Sequence, residues 1–594
     1  MKLSKTNFRI FTYSLLGSLC MWGGESIGQT YKDYFGNGHQ IGIQATSSDT
    51  SSTDDATESI SGTGMIPDLK GASRFLAQAT LGFNYEDIED LSQNGIDAWL
   101  DDQFVQSDTS YLQMYWSQLG LTGLPDVTDL QDLKNYYLSR SFYWNVLRRD
   151  DKLRQKLGFA LSQILVTSTA TGGNWGDQYA EYYDILYRNA FGNYRDILSQ
   201  VTYSTSMGRY LSSIKNPKAD YGLNTLPDEN YAREIMQLFT IGLLELNNDG
   251  TLKLDTEGNP IPTYTNEDIQ EMAKVFTGLN YATDRTGAPN NNWNIGYSSY
   301  GRINGMKVFP NYHDVTSKRM IDGSVLPAGR SGNQDIEDVI DLLFNHPNTG
   351  PFISIRLIQN FVKSNPTPAY VNRVATVFNN NGKGVRGDMQ AVIRAILVDP
   401  EARDCSWIDD NRNGKLTQPI ERTTRLLAAF DVYTTPDTFY LRDGSETGLD
   451  QRFMNAPTVF NYFSPFYQEE TYVAPESLVS PEFEILNDVT AIENLNLTEN
   501  RIKNRPFRNR YPNGGNPQLD LTDEINLMGS QGISAVLDRL DILLCRGQLS
   551  TETRNTITNA ITQYQANINN YSDERAVEDA LYFLLVSPDY LIIK

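Results

Sequence analysis

LPDENYAREIMQLFTIG, residues 226–242, and YTNEDIQEMAKVFTGL, residues 264–279, bracket an interlude rich in Gly, Asn, Asp and Pro. In the first stretch Ile235, Leu238 and Phe239 recur at helical spacing, and Asn230, Arg233, Glu234 and Gln237 form a polar stripe. Pro227 suits a first helical turn, while Asp228 and Glu229 suit the positive end of the helix dipole. Glu229 and Arg233, four apart, are placed to pair. The interlude NNDGTLKLDTEGNPIPT, residues 247–263, sets an alternating TLKL between two turn signals and reads as a small β-hairpin excursion.

Helical patterns continue on both sides. GASRFLAQATLG places Phe75, Leu76 and Ala79 on one face. Asn94-Gly95 divides the next pattern into two helices. DKLRQKLGFALSQILVTS turns nearly all apolar in its second half, which predicts deep burial. Residues 333–403 hold four amphipathic segments, and another helix runs from Gln418 to Phe430. Tyr281 to Val325 reads as a long irregular loop with interspersed aromatics, and such loops are often functional. The segment ERAVEDALYFLLVSPDYLI near the C-terminus resembles DMQAVIRAILVDPE at 388–401, but two copies do not make a repeat array. The expectation is a mainly α fold: a large multi-helical body, a small β-hairpin excursion and a long irregular central loop. It spans 68–594, with a sub-boundary near 404–417.

The N-terminus resembles a secretory signal over residues 1–28. Lys2, Lys5 and Arg9 precede a short apolar run, Ile10 to Trp22, and Ser26-Ile27-Gly28 suits cleavage before Gln29. Leu19 before Cys20 is too large for the usual lipidation box, so the reading is soluble export to the periplasm, cell surface or medium. Residues 29–67, rich in Ser, Thr and Asp, read as a disordered linker. No other run reads as a membrane span. The net charge of −23 argues against nucleic acid and anionic lipid as partners. After cleavage Cys405 and Cys545 remain; they either pair once or are small buried residues.

Several pieces together resemble one family. They are Arg74 to Gly82 (R-x5-TLG), GNYRDILSQVTYSTSMGRYL at 192–211, the two opening stretches, Phe309 with His313-Asp314 and Lys318, HPNTGPFISIRLIQNFV at 346–362, and Leu416 to Arg422. The resemblance is to the exported bacterial proteins catalogued as domain of unknown function 1800. It implies a mostly helical structure, export, and pairing with a sulfatase-like exported partner; it implies no established activity. Relatives often carry His where this chain has Phe239, so a metal site using that position is not expected here.

Chemistry has few places to sit. Glu234 and Arg233 read either as acid/base or ligand groups lining a site or as a structural ion-pair stripe. His313 and Asp314, in the central loop, read as a general base pair or as structural residues. His346 reads as a capping or packing residue. Asp409, Asn411, Asn413 and Gly414 match the first half of a calcium loop, but the twelfth position is Ile420, so an Asx-rich turn competes with calcium binding. Glu245, Asn247, Asp249 and Gly250 show the same half-pattern. No G-x-S-x-G elbow, Walker loop or dinucleotide fingerprint occurs. The leading expectation is an accessory role outside the cytoplasm through a protein partner. A hydrolase or metal-dependent enzyme using Glu234, Arg233, His313 and Asp314 is the competing one, and a surface polysaccharide binder the third.

Overall fold

The chain divides into two units, Met1–Gly42 and Ile43–Lys594. A computed structural model describes residues 68–120, 135–172, 175–284, 287–295, 301–404, 407, 410, 412–433, 449–469, 478–503 and 517–594. The signal and linker readings at 1–67, together with Cys405, Asp409 and Asn411, lie outside the described residues.

Helices begin where capping chemistry starts them. Asn84 and Asp87, Thr265 and Asp268, and Ser331 and Gln334 each form a reciprocal capping box, so backbone donors at these helix starts find side-chain partners. Thr367 caps Pro368–Asn379, which carries Pro at its first position. Gly95, at φ 87°, separates Tyr85–Asn94 from Ile96–Val105, as the Asn-Gly signal predicts.

Helix Lys152–Ile164 runs through the core. Its residues from Leu153 to Leu161 are buried without a break, and they include Arg154, Gln155 and Lys156. It packs on Gly176–Arg188, whose tyrosines Tyr182, Tyr183 and Tyr187 are sealed from solvent. Tyr111 meets Tyr183 and Tyr187 edge-on, with ring centroids 4.6 and 5.0 Å away. Much of the tyrosine is therefore core material. Thr349–Phe361, Pro368–Asn379 and Met389–Val398 stack against one another beside this layer.

The strands are short antiparallel pairs. Leu279–Tyr281 pairs with Met306–Val308, closing the base of the central loop. Lys318–Arg319 pairs with Val325–Leu326. Lys415–Leu416 pairs with Ile592–Ile593, tying the chain's end into its middle. The excursion after residue 242 is held by bridges Leu244 to Pro262, Leu246 to Leu252 and Leu254 to Pro260. No helix among the described residues is long and apolar enough to cross a membrane.

Gly278 sits where the second opening stretch meets the central loop. Its φ is +83°, and a Cβ there would lie 2.9 Å from the His313 nitrogen and 3.0 Å from the Phe309 oxygen. Gly278→Ala is expected to cost about 3 kcal/mol, since left-handed strain and backbone overlap add. Gly258, at φ +87° with open space around it, serves as the control, and its alanine variant should cost only about 1 kcal/mol. Urea unfolding midpoints compare the two; equal costs would remove the overlap argument.

Candidate functional site

The helix of the first opening stretch spans Asn230–Gln237. It starts three residues after Pro227, and the Asp228 carboxylate accepts from the Asn230 N–H at 2.8 Å. Tyr231, Ala232, Ile235 and Met236 are buried, and of the polar stripe Asn230, Arg233 and Gln237 are half-buried at the surface. Arg233 Nη2 lies 3.2 Å from Glu229 Oε2 in a half-exposed i,i+4 pair. Glu234 is different: it is 5% exposed, and its Oε2 is buried with no hydrogen-bond partner. Burial pushes its carboxyl up to about 7 against the opposing pull of Arg233. Tyr264, from the second stretch, stands beside it and donates to Gln237 Oε1 at 3.4 Å. Glu234, Arg233, Gln237 and Tyr264 thus form one polar group with a carboxyl poised near neutrality.

His313 and Asp314 are held elsewhere in the loop by bonds of their own. His313 is 1% exposed; its Nε2 lies 3.2 Å from Asp335 Oδ2 and its Nδ1 3.1 Å from the Thr277 carbonyl oxygen. Asp335 also takes Lys318 Nζ at 2.8 Å and Arg330 Nε at 2.8 Å. Burial alone would raise the Asp335 carboxyl, but His313, Lys318 and Arg330 prevail and hold it at about 2. Asp314 accepts from the Thr316 N–H at 2.8 Å and from the Thr316 hydroxyl at 2.5 Å, closing a turn. The histidine and both neighbouring cations therefore clamp the central loop to helix Gly332–Asn345. The clamp's bonds run to Thr277 and Asp335, and among the described residues none of them reaches Glu234. His346 caps the end of the same helix and accepts from the Asn348 N–H at 3.1 Å.

The calcium half-patterns meet ordinary turn bonds. Asp249 Oδ1 accepts from both the N–H and the hydroxyl of Thr251, at 2.9 and 2.6 Å, and Glu245 pairs with Lys253 at 3.3 Å. Near the other half-pattern, Asp410 binds Arg412 at 2.9 Å, and the Asn413 N–H reaches the Asp410 carbonyl at 3.0 Å. Among the described residues no three His, Cys, Asp or Glu side chains gather as a metal site. Cys545 is buried and free, and burial pushes its thiol up to about 12.

A second polar group has no counterpart in the sequence reading. Lys156, inside the core helix, forms an ion pair with Glu421 of helix Pro419–Ala429; both are sealed from solvent. Burial would raise the Glu421 carboxyl, but Lys156, Lys415 and Arg425 surround it and hold it at about 2. Lys415 also lies 3.2 Å from Glu482. Lys363 and Glu401, at 2.9 Å, and Arg373 and Asp399, at 2.7 Å, repeat the pattern nearby. The one sequence signal was the polar run Arg154-Gln155-Lys156 just ahead of the apolar half of that helix, which has no spacing rule to interpret it.

The family described as "Protein of unknown function (DUF1800)" matches residues 74–592. No curated protein and no solved structure matches the chain.

A carboxyl raised in the folded state destabilises the fold once it ionises. Stability tied to Glu234 is therefore present below its unfolded value near 4.5 and falls as pH rises to and past about 7. Glu234→Gln should match the wild type at pH 5 and exceed it at pH 8 by on the order of 2 kcal/mol. Urea titrations at the two pH values measure this; a variant equally destabilised at both would show that the carboxylate is paired.

Proposed function

The chain belongs to the DUF1800 family of proteins of unknown function, and on that premise we propose that it is an exported accessory protein that docks a protein partner. The family resemblance makes a sulfatase-like exported protein the partner to test. Lys2, Lys5, Arg9 and the apolar run Ile10 to Trp22 support export, and the charge of −23 suits solubility outside the cytoplasm.

One observation carries the docking reading. Tyr221, Leu223 and Leu226 are 84%, 74% and 70% exposed and stand close together in sequence on the loop that leads into helix Asn230–Gln237. Large apolar side chains grouped in this way are unusual on a free surface and typical of interface anchors. The loop is held in shape by its own bonds. Asp220 and Thr225 exchange N–H to carbonyl bonds at 3.0 Å each, and Asp220 Oδ1 accepts from the Gly222 N–H at 2.9 Å. Its stem is anchored by Lys218 N–H to the Tyr312 carbonyl at 2.8 Å. An anchor already ordered loses less entropy when it docks.

Glu234 favours a second reading, an acid–base enzyme. A buried carboxyl near 7, with Arg233 and Gln237 beside it, suits proton transfer to a polar substrate. In that reading His313 and Asp314 brace the adjoining loop. An activity of this kind must disappear in Glu234→Gln.

The docking reading predicts a complex between the full-length chain and a co-expressed sulfatase-like exported partner. The triple variant Tyr221→Ser, Leu223→Ser, Leu226→Ser should weaken that complex at least tenfold without changing its own thermal midpoint, as each buried anchor contributes about 1.5–3 kcal/mol. Isothermal titration with the purified partner decides. No complex with the wild type, or equal affinity for the triple variant, sinks the reading.

A further inference from the structure

Four arginines converge near the C-terminus. Arg422 and Arg425 come from helix Pro419–Ala429, Arg501 from helix Asp488–Lys503, and Arg546 follows the turn Asp541–Cys545. All four are buried, and all four act electrostatically on the Tyr590 hydroxyl, which is itself buried. That hydroxyl donates to the Arg422 carbonyl oxygen at 3.0 Å.

Three of these guanidinium groups bond to neutral acceptors. Arg422 Nη1 donates to Asn494 Oδ1 at 3.1 Å, and Arg425 Nη2 to the Ala77 carbonyl. Arg546 donates to the carbonyls of Leu544, Asp589 and Ile592, each at 2.7 Å. The Nε groups of Arg422, Arg425 and Arg546 are buried with no hydrogen-bond partner.

Two described carboxylates lie nearby, and both are shared with other cations. Glu421 binds Lys156, and its other oxygen is 3.9 Å from Arg425. Asp541 accepts from the Leu549 N–H at 2.9 Å and lies 3.7 Å from Arg554. Burial and like charge both oppose this gathering, and burial pulls Arg422 and Arg546 down to about 10. Among the described residues Arg422 and Arg546 have no carboxylate in ion-pair contact, and Arg425 shares Glu421 with Lys156, so these buried cations call for a further anion. The planar guanidinium fork suits the oxygens of a tetrahedral oxyanion, and several unused N–H groups on separate elements suit more than one of them.

We propose that Arg422, Arg425 and Arg546, gathered about Tyr590, hold one tetrahedral oxyanion, phosphate or sulfate, that joins the C-terminal turn to helix Pro419–Ala429.

The test uses the full-length chain, dialysed exhaustively into chloride buffer, denatured, and assayed for released anions by ion chromatography. Dialysed folded protein is then titrated calorimetrically with inorganic phosphate and, separately, with sulfate, using chloride as the ionic-strength control. One equivalent of phosphate or sulfate released per chain, or saturable binding at one per chain, is expected, and the two arms identify which ion is held. Arg422→Gln should lower occupancy or affinity at least tenfold. The wild-type content assay needs no variant, so a substitution that prevents folding leaves the test intact. Neither ion retained nor bound, or Arg422→Gln and Arg425→Gln behaving as the wild type, overturns the proposal.

Discussion

The ion pair between Lys156 and Glu421 is the constraint on which the body depends. Helix Lys152–Ile164 is buried along its length, so an ammonium in its middle has no water to solvate it. The helix can sit at that depth only where a carboxylate meets the lysine, and Glu421 of a segment distant in sequence supplies it. The geometry of one helix therefore dictates the placement of the other. Arg302 and Asp177, at 2.6 Å, do the same between the central loop and helix Gly176–Arg188, and Asp335 does so for the loop's other end through His313, Lys318 and Arg330. Isolated buried charges would be prohibitively costly; matched ones specify which segments meet.

Against this background Glu234 stands apart. Glu421 and Glu482 also bury an oxygen without a hydrogen bond, but each has a lysine in ion-pair contact, whereas the arginine next to Glu234 turns to Glu229. A group so placed contributes no obvious stability, and this is what the proposed acid–base reading rests on. The exposed anchors Tyr221, Leu223 and Leu226 precede the same helix, which puts the two functional readings on one stretch of chain.

Local features were legible in the sequence and long-range ones were not. Helix breaks at Asn94-Gly95, the amphipathic segments from 333 to 403 and the turn-rich excursion follow from periodicity and turn chemistry, which act over a few residues. The polar stripe of Asn230, Arg233, Glu234 and Gln237 was legible in the same way, although the burial of Glu234 Oε2 without a hydrogen bond was not. The partner of Lys156 lies 265 residues away, and no local pattern encodes such a meeting. His313 was visible as a rare histidine in a loop, but its meaning rests on Asp335, which reads in isolation as an acidic residue in a first helical turn. Calcium-like spacing at Glu245 to Gly250 arose because the same oxygen-bearing residues also close turns.

The claim that buried ion pairs hold distant segments together is tested most directly by a double-mutant cycle at Lys156 and Glu421, read by equilibrium unfolding. Lys156→Met and Glu421→Gln should each cost about 3 kcal/mol or more, because each leaves a buried charge unmatched. The double variant should cost at least about 1 kcal/mol less than the sum of the two. Strictly additive costs, or a single variant within about 0.5 kcal/mol of the wild type, would contradict the account.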